Sequence, residues 1–194
     1  VWAAVLRRVP KASLWLQKYD LGDLAISNLE AELRAQGVFA GKSRNIGSTS
    51  EIYGVEECEG VDQIQAACAH SFLSSNLTTT LKLRGSRLFT TERQPWIYHV
   101  QAKAAADLML DTPQKNMHTT SLDSIFAGVP LVTMAGDRVS KRAGISNLNS
   151  LFSGPEDGND RMRADFKSAG RVFSFKEYED IAVKLASDPR RLIR

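Results

Sequence analysis

The segment His118-Thr119-Thr120-Ser121-Leu122-Asp123 gathers the side chains best suited to chemistry in this sequence. It follows a loop ending in Asn116-Met117, and behind it Leu122, Ile125 and Phe126 recur at the spacing of one helix face. A helix mouth carries unpaired backbone N–H groups and a partial charge of roughly +0.5, so it can hold a phosphate without a glycine-rich loop. Thr119 and Thr120 add hydroxyl donors there and His118 an imidazole donor, while Asp123, one turn on, is an acceptor suited to sugar hydroxyls. The same spacing allows a plainer role, with one threonine capping the helix and His118 a loop residue. His99, on an earlier helical stretch, carries a similar choice between stacking on a base and packing against a sheet. Lys115 could meet a phosphate or simply be solvated.

The sequence also excludes several chemistries. It has no G-x-G-x-x-G after a strand, no P-loop lysine motif and no G-x-S-x-G elbow. His70, His99 and His118 lack metal-ligand spacing, and Cys58 and Cys68 form no pair of C-x-x-C knuckles, so no metal is expected. Two cysteines are no disulfide framework and suit a reducing compartment. A net charge of +3, scattered along the chain, gives no footprint for nucleic acid. No apolar run approaches the roughly 20 residues of a membrane span. With 43% hydrophobic and 24% charged residues, 194 residues can bury a core.

The elements that must position these residues alternate. Trp2, Val5, Leu6 and Val9 mark an amphipathic helix stopped by Pro10, and Ser13 to Leu16 a strand. Asp23 caps a helix striped by Ile26, Leu29 and Leu33 and closed by Gly37. Residues 39–86 are rich in glycine, serine and threonine at both ends and read as a surface insertion carrying one helix. Arg87 to Thr91 is a strand, and Pro95 opens a helix running to Ala106. Asp107 to Asp111, the Thr119 to Ala127 helix with its Gly128 cap, and Val129 to Met134 make a βαβ unit whose strands should be parallel. Asp137 to Leu148 reads as a helix with Val139 and Ala143 facing inward, and residues 151–170 as a second insertion. Arg171 to Phe173 is a last strand, and Ser174 with Glu177 a capping box for a helix bearing Tyr178, Ile181, Ala182 and Leu185. Five strand candidates alternating with helices predict an α/β domain over residues 1–194, a mostly parallel sheet with helices on both faces and two surface insertions.

Several stretches together resemble a known family. H-V-x-x-x-x-x-A-D-x-x-L-D-T-P (His99 to Pro113), N-x-H-T-T-x-x-D (Asn116 to Asp123), A-G-V-P-L-V-T-M-A-G (Ala127 to Gly136), E-Y-E-D-I-A-V-K-L (Glu177 to Leu185) and L-x-R-V-P-x-x-x-L-W-L (Leu6 to Leu16) resemble, in the same order, the C-terminal half of the O-linked N-acetylglucosamine transferases. SPINDLY-type protein fucosyltransferases share the D-T and G-V-P-x-V-T-M-A-G stretches, but the mouth with His118 and Asp123 is more similar to the glucosaminyl side.

The resemblance implies the Rossmann-like, nucleotide-binding domain of a GT-B enzyme. Such enzymes invert the anomeric carbon, use UDP-GlcNAc as donor and protein Ser/Thr as acceptor, need no metal or other cofactor, and work in the cytoplasm or nucleus. His99 would then flank the uracil, His118, Thr119 and Thr120 would hold the pyrophosphate, and Asp123 the ribose, with Gln94 and Trp96 as further candidate donor contacts. The family's pattern departs here at Trp96, where the animal enzymes carry a ribose-contacting lysine, and at Ala102, where they carry an arginine on the base. An N-terminal catalytic domain, holding the general base and a phosphate-contacting lysine, and helical repeats before it are expected upstream, so this stretch alone should be inactive. Two other readings stay open: a GDP-fucose transferase of the SPINDLY type, and a non-catalytic nucleotide-binding or scaffold module.

Overall fold

Alternation of short apolar strands with amphipathic helices carries through into the folded chain. The computed structural model describes residues 1–18, 23–38, 44–46, 87–92, 95–151 and 171–188. These form α1 (Trp2–Arg8), β1 (Leu14–Lys18), α2 (Asp23–Ala35), β2 (Arg44–Ile46), β3 (Leu88–Glu92), α3 (Trp96–Lys103), β4 (Met109–Leu110), α4 (His118–Phe126), β5 (Leu131–Met134), a 3-10 turn (Val139–Lys141), α5 (Ala143–Leu151), β6 (Arg171–Val172) and α6 (Phe175–Ser187). Every strand pairing among the described residues is parallel, as connections through helices require.

The residues divide into two compact units. One comprises Ser13–Arg34 and Phe39–Tyr98. Its sheet has the order β1-β3-β2, with Leu14 opposite Leu88 and Arg44 opposite Phe89. Leu88 is fully buried, Trp15 stacks on Phe89 with ring centroids 6.0 Å apart, and Trp15 Nε1 donates to Thr91 Oγ1 at 2.9 Å. Strand β2 corrects the expectation for residues 39–86. Its three residues do not belong to a surface excursion but add an edge to the sheet. The rest of that insertion, including its anticipated helix, lies outside the described residues, as does the second insertion beyond Leu151.

The other unit comprises Val1–Ala12, Ala35–Val38 and His99–Arg194. Its sheet has the order β4-β5-β6, and β4-α4-β5 is the anticipated βαβ unit. Val132, Val172, Tyr178 and Leu185 form its buried core, joined by Leu108, Leu110, Met134 and Ile181. Complete burial of such a side chain contributes roughly 1.5–3 kcal/mol. The Ser174 hydroxyl caps α6 by accepting from Glu177 N, and the Glu177 carboxylate reaches back to Phe173 N at 2.8 Å. Helix α1 buries Ala3, Val5 and Leu6 and packs against α6, where Arg8 Nη1 meets Glu179 at 2.8 Å and Asp180 at 2.6 Å. Gly128 ends α4 at φ 75, in the left-handed region that a Cβ disfavours.

Two inward faces differ from the sequence-based expectation. In α4 the buried residues are Ser121 and Ser124, whereas Leu122 is 47% and Phe126 83% exposed. The serines tolerate burial because each hydroxyl donates back within its own helix, Ser121 Oγ to His118 O at 2.7 Å and Ser124 Oγ to Thr120 O at 3.1 Å. Val139 is 86% exposed because its segment is a 3-10 turn, and the α-helix starts only at Ala143, with Gly144 and Leu148 as its buried residues.

Candidate functional site

The helix mouth is delivered by a loop anchored on one buried carboxylate. Asp111 follows β4 and is fully buried. Its Oδ1 accepts from Thr112 N at 2.8 Å and Met117 N at 2.6 Å, and its Oδ2 accepts from Thr133 Oγ1 at 2.6 Å. Burial pushes this carboxyl above its ordinary range, opposed by those three bonds and by nearby His118. Tyr178, at the centre of the core, donates its hydroxyl to Asp111 O at 2.7 Å. Asn116 is 2% exposed and ties the loop sideways, its N–H donating to Ser140 O at 2.9 Å and its amide to Thr112 O at 3.3 Å. A Cβ on Gly144 would lie 2.2 Å from Thr133 Oγ1 and 2.5 Å from Asp111 Oδ2, so the α5 backbone approaches this node as only glycine can.

At the mouth itself, Met117 offers no side-chain cap to α4, which leaves the first-turn N–H groups open to an anion. His118 and Thr119 are exposed and Thr120 half-buried. The His118 carbonyl is fixed from behind by Asn147 Nδ2 at 3.1 Å, and the same amide donates to Ser121 Oγ at 2.7 Å. One turn in, Asp123 Oδ2 lies 3.5 Å from His99 Nε2. Lys103, one turn after His99 on α3, donates from Nζ to Thr120 O at 3.3 Å. Burial holds the His99 imidazole below its ordinary range, the Lys103 charge adds to that, and Asp123 opposes it. Burial likewise pushes the Lys103 ammonium down to about 8, opposed by Asp123.

The structure therefore brings His118, Thr119, Thr120, Asp123 and His99 onto or beside the first turns of α4. Trp96, in the first turn of α3, is 69% exposed. Gln94 lies outside the described residues. Sequence reasoning passed over Lys103, Asp111, Asn116 and Asn147. Lys103 stands four residues after His99, a spacing that puts both on one helix face. Asp111 closes an apolar strand immediately before Thr-Pro, where a buried acid has a loop to organise. Asn147 left no signal of its own, and Asn116 entered only as the first residue of the N-x-H-T-T-x-x-D stretch, with no role attached. Among the described residues no cluster of three or more His, Cys, Asp or Glu could hold a metal, and no helix is long and apolar enough to cross a membrane.

Comparison with known proteins adds the family. The family model described as Glycosyl transferase family 41 matches residues 65–194, which include the whole helix mouth, His99 and Lys103. The chain belongs to glycosyl transferase family 41. It is 33% identical over 192 residues to the probable UDP-N-acetylglucosamine–peptide N-acetylglucosaminyltransferase SEC of Arabidopsis thaliana, a match covering 98% of this chain and 13% of that protein. It is 34% identical over 94 residues to the UDP-N-acetylglucosamine–peptide N-acetylglucosaminyltransferase of Caenorhabditis elegans, covering 48% of this chain and 7% of that one. A probable SPINDLY transferase of Oryza sativa subsp. japonica is 31% identical over 125 residues, covering 62% of this chain and 12% of the relative. The chain thus spans a small part of the length of these relatives. Among solved structures, a mutant O-GlcNAc transferase of Thermobaculum terrenum superposes with a TM-score of 0.61 at 23% identity, over 98% of this chain and 26% of that one. That likeness shows the fold: α/β, Rossmann-like and of the GT-B type.

Proposed function

We propose that this chain is the donor-nucleotide half of a transferase that moves N-acetylglucosamine from UDP-GlcNAc to protein Ser/Thr hydroxyls with inversion and without a metal. The observation that carries this reading is the composition of the α4 mouth. Uncapped N–H groups, an exposed imidazole and two hydroxyls lie together where an anion gains most, with a carboxylate one turn behind them. In an inverting transfer the acceptor oxygen bonds to the anomeric carbon as the bond to the diphosphate breaks, and negative charge gathers on the leaving oxygen. Preorganised donors at a helix mouth stabilise that charge in the transition state, doing by dipoles what a divalent ion does elsewhere. Asp123 is set back from the anion and is suited to ribose hydroxyls, and His99 beside it to the base. The general base and the acceptor site belong to the upstream domain of the whole enzyme, and the cytoplasm or nucleus is its proposed place of work.

Isothermal titration of the chain with UDP and GDP, each with excess EDTA, tests the reading. UDP should bind more tightly than GDP, and chelation should leave its affinity unchanged. A preference for GDP, or a requirement for Mg²⁺ or Mn²⁺, overturns it.

A further inference from the structure

Helix α5 is seated against the loop node by Gly144, where a Cβ would collide with Thr133 and Asp111. One turn on, the same helix presents Asn147 to the start of α4. The Asn147 amide makes two bonds there, to His118 O at 3.1 Å and to Ser121 Oγ at 2.7 Å. Ser121 Oγ in turn donates to His118 O at 2.7 Å. Two polar side chains thus take the place of apolar packing between the helices, and both converge on one carbonyl oxygen.

That oxygen belongs to the peptide unit joining His118 to Thr119, whose other end is the Thr119 N–H. The neighbouring donors are already in use: Asp111 Oδ1 accepts from Met117 N at 2.6 Å, and Met117 O from Ser121 N at 3.2 Å. The open donors of the first turn are therefore the N–H groups of His118, Thr119 and Thr120. Among the described residues, side chains bond the oxygen of only one of the peptide units carrying them, the one from His118 to Thr119. Lys103 and Ser124 bond Thr120 O instead, and the N–H of that unit, on Ser121, is taken by the helix. Donation to a peptide oxygen polarises the amide and strengthens the N–H at its far end, by roughly 10–30% per bond. We propose that Asn147 is a positioning residue for the phosphate of the nucleotide: with Ser121 it fixes and polarises the peptide whose Thr119 N–H meets the anion. This rests on the reading of the α4 mouth as a nucleotide site. It goes beyond that reading by assigning part of the grip on the anion to a second helix.

The test uses Asn147→Ala, Asn147→Asp and Ser121→Ala in the whole chain, each checked for cooperative unfolding. Calorimetric titration with UDP is set against titration with uridine, which carries no phosphate. Asn147→Ala should weaken UDP binding about three- to tenfold, the range of one neutral hydrogen bond, and leave uridine affinity within about twofold of wild type. Ser121→Ala, which removes the other donor to His118 O, should show the same phosphate-selective loss. The double variant should lose less than the product of the two, because both act on one carbonyl. Asn147→Asp keeps the size but sets a negative charge where the donor stood, so its loss of UDP should exceed that of Asn147→Ala, with uridine again spared. Without ligand, the Thr119 amide proton should move upfield by NMR in Asn147→Ala and Ser121→Ala. An asparagine that only ties α5 to α4 would weaken UDP and uridine by equal factors, or lower stability with binding unchanged, and either result overturns the proposal. Should Asn147→Ala fail to fold, Ser121→Ala carries the same comparison. Failure of the nucleotide reading looks different, because the wild-type chain itself would then bind neither UDP nor uridine.

Discussion

The inner side of the loop after β4 and the helix mouth it delivers are built on opposite plans. Inside, Asp111 and Asn116 are buried and bonded to Thr112, Met117, Thr133 and Ser140, so that polar groups are matched by polar groups. Outside, His118 and Thr119 are exposed on a helix whose preceding residue gives no cap. A fold optimised for stability alone would close that mouth with a serine or aspartate, worth about 1 kcal/mol. The contrast separates residues that hold the site from residues that would use it. A substitution on the inner side should be read in stability, and one on the outer side in binding.

The largest effect is expected inside. Asp111→Ala strands the Thr133 hydroxyl and two backbone N–H groups, each costing about 1–3 kcal/mol when left unpaired and buried. We expect a loss of roughly 3–5 kcal/mol by urea denaturation, with nucleotide affinity falling as the mouth loses its support. A denaturation midpoint within error of wild type would show that the loop is held by something else and would blur the contrast.

Next comes the outer side. His118→Ala should weaken UDP binding about ten- to a hundred-fold, the equivalent of one lost charge-assisted hydrogen bond of roughly 1.5–3 kcal/mol. It should leave uridine binding and the unfolding midpoint nearly unchanged. Asp123→Ala should weaken UDP and uridine alike. Competition binding with uridine and UDP on folded variants decides between them. Equal factors for uridine and UDP in His118→Ala would remove the imidazole from the phosphate.

The smallest effect sharpens the comparison from the other direction. Phe126 is apolar yet 83% exposed, so Phe126→Ser should change stability by no more than about 0.5 kcal/mol. A thermal shift as large as that of Asp111→Ala would mean that Phe126 faces inward after all.

Legibility followed the range of the forces involved. The helix mouth could be read because caps, dipoles and turn spacing act within a few residues, and so did the Gly37 and Gly128 closures, both at positive φ. All five anticipated strands are present, being short apolar runs with clear stops. Strand β2 was missed because Arg44-Asn45-Ile46 has no apolar pattern, and its pairing with Phe89, Thr90 and Thr91 comes from far along the chain. The faces of α4 were misassigned because helical period selects an apolar stripe, while two serines satisfied by their own helix can be buried instead. Lys103 escaped because a lysine in a helix's last turn ordinarily favours the dipole and reaches solvent. Only its burial and its bond to the Thr120 carbonyl show that it does not.

Helix α1 rests on α6, with Arg8 bonded to Glu179 and Asp180. During synthesis α1 leaves the ribosome more than a hundred and fifty residues ahead of its partner α6. Until then Val5 and Leu6 have no final place to be buried, and that stretch is a natural client for a chaperone. Contacts of such sequence separation slow folding, so the joining of α1 to α6 should be a late event in refolding. Cutting the chain anywhere before Phe175 would leave a piece able to form helices but unable to finish its core.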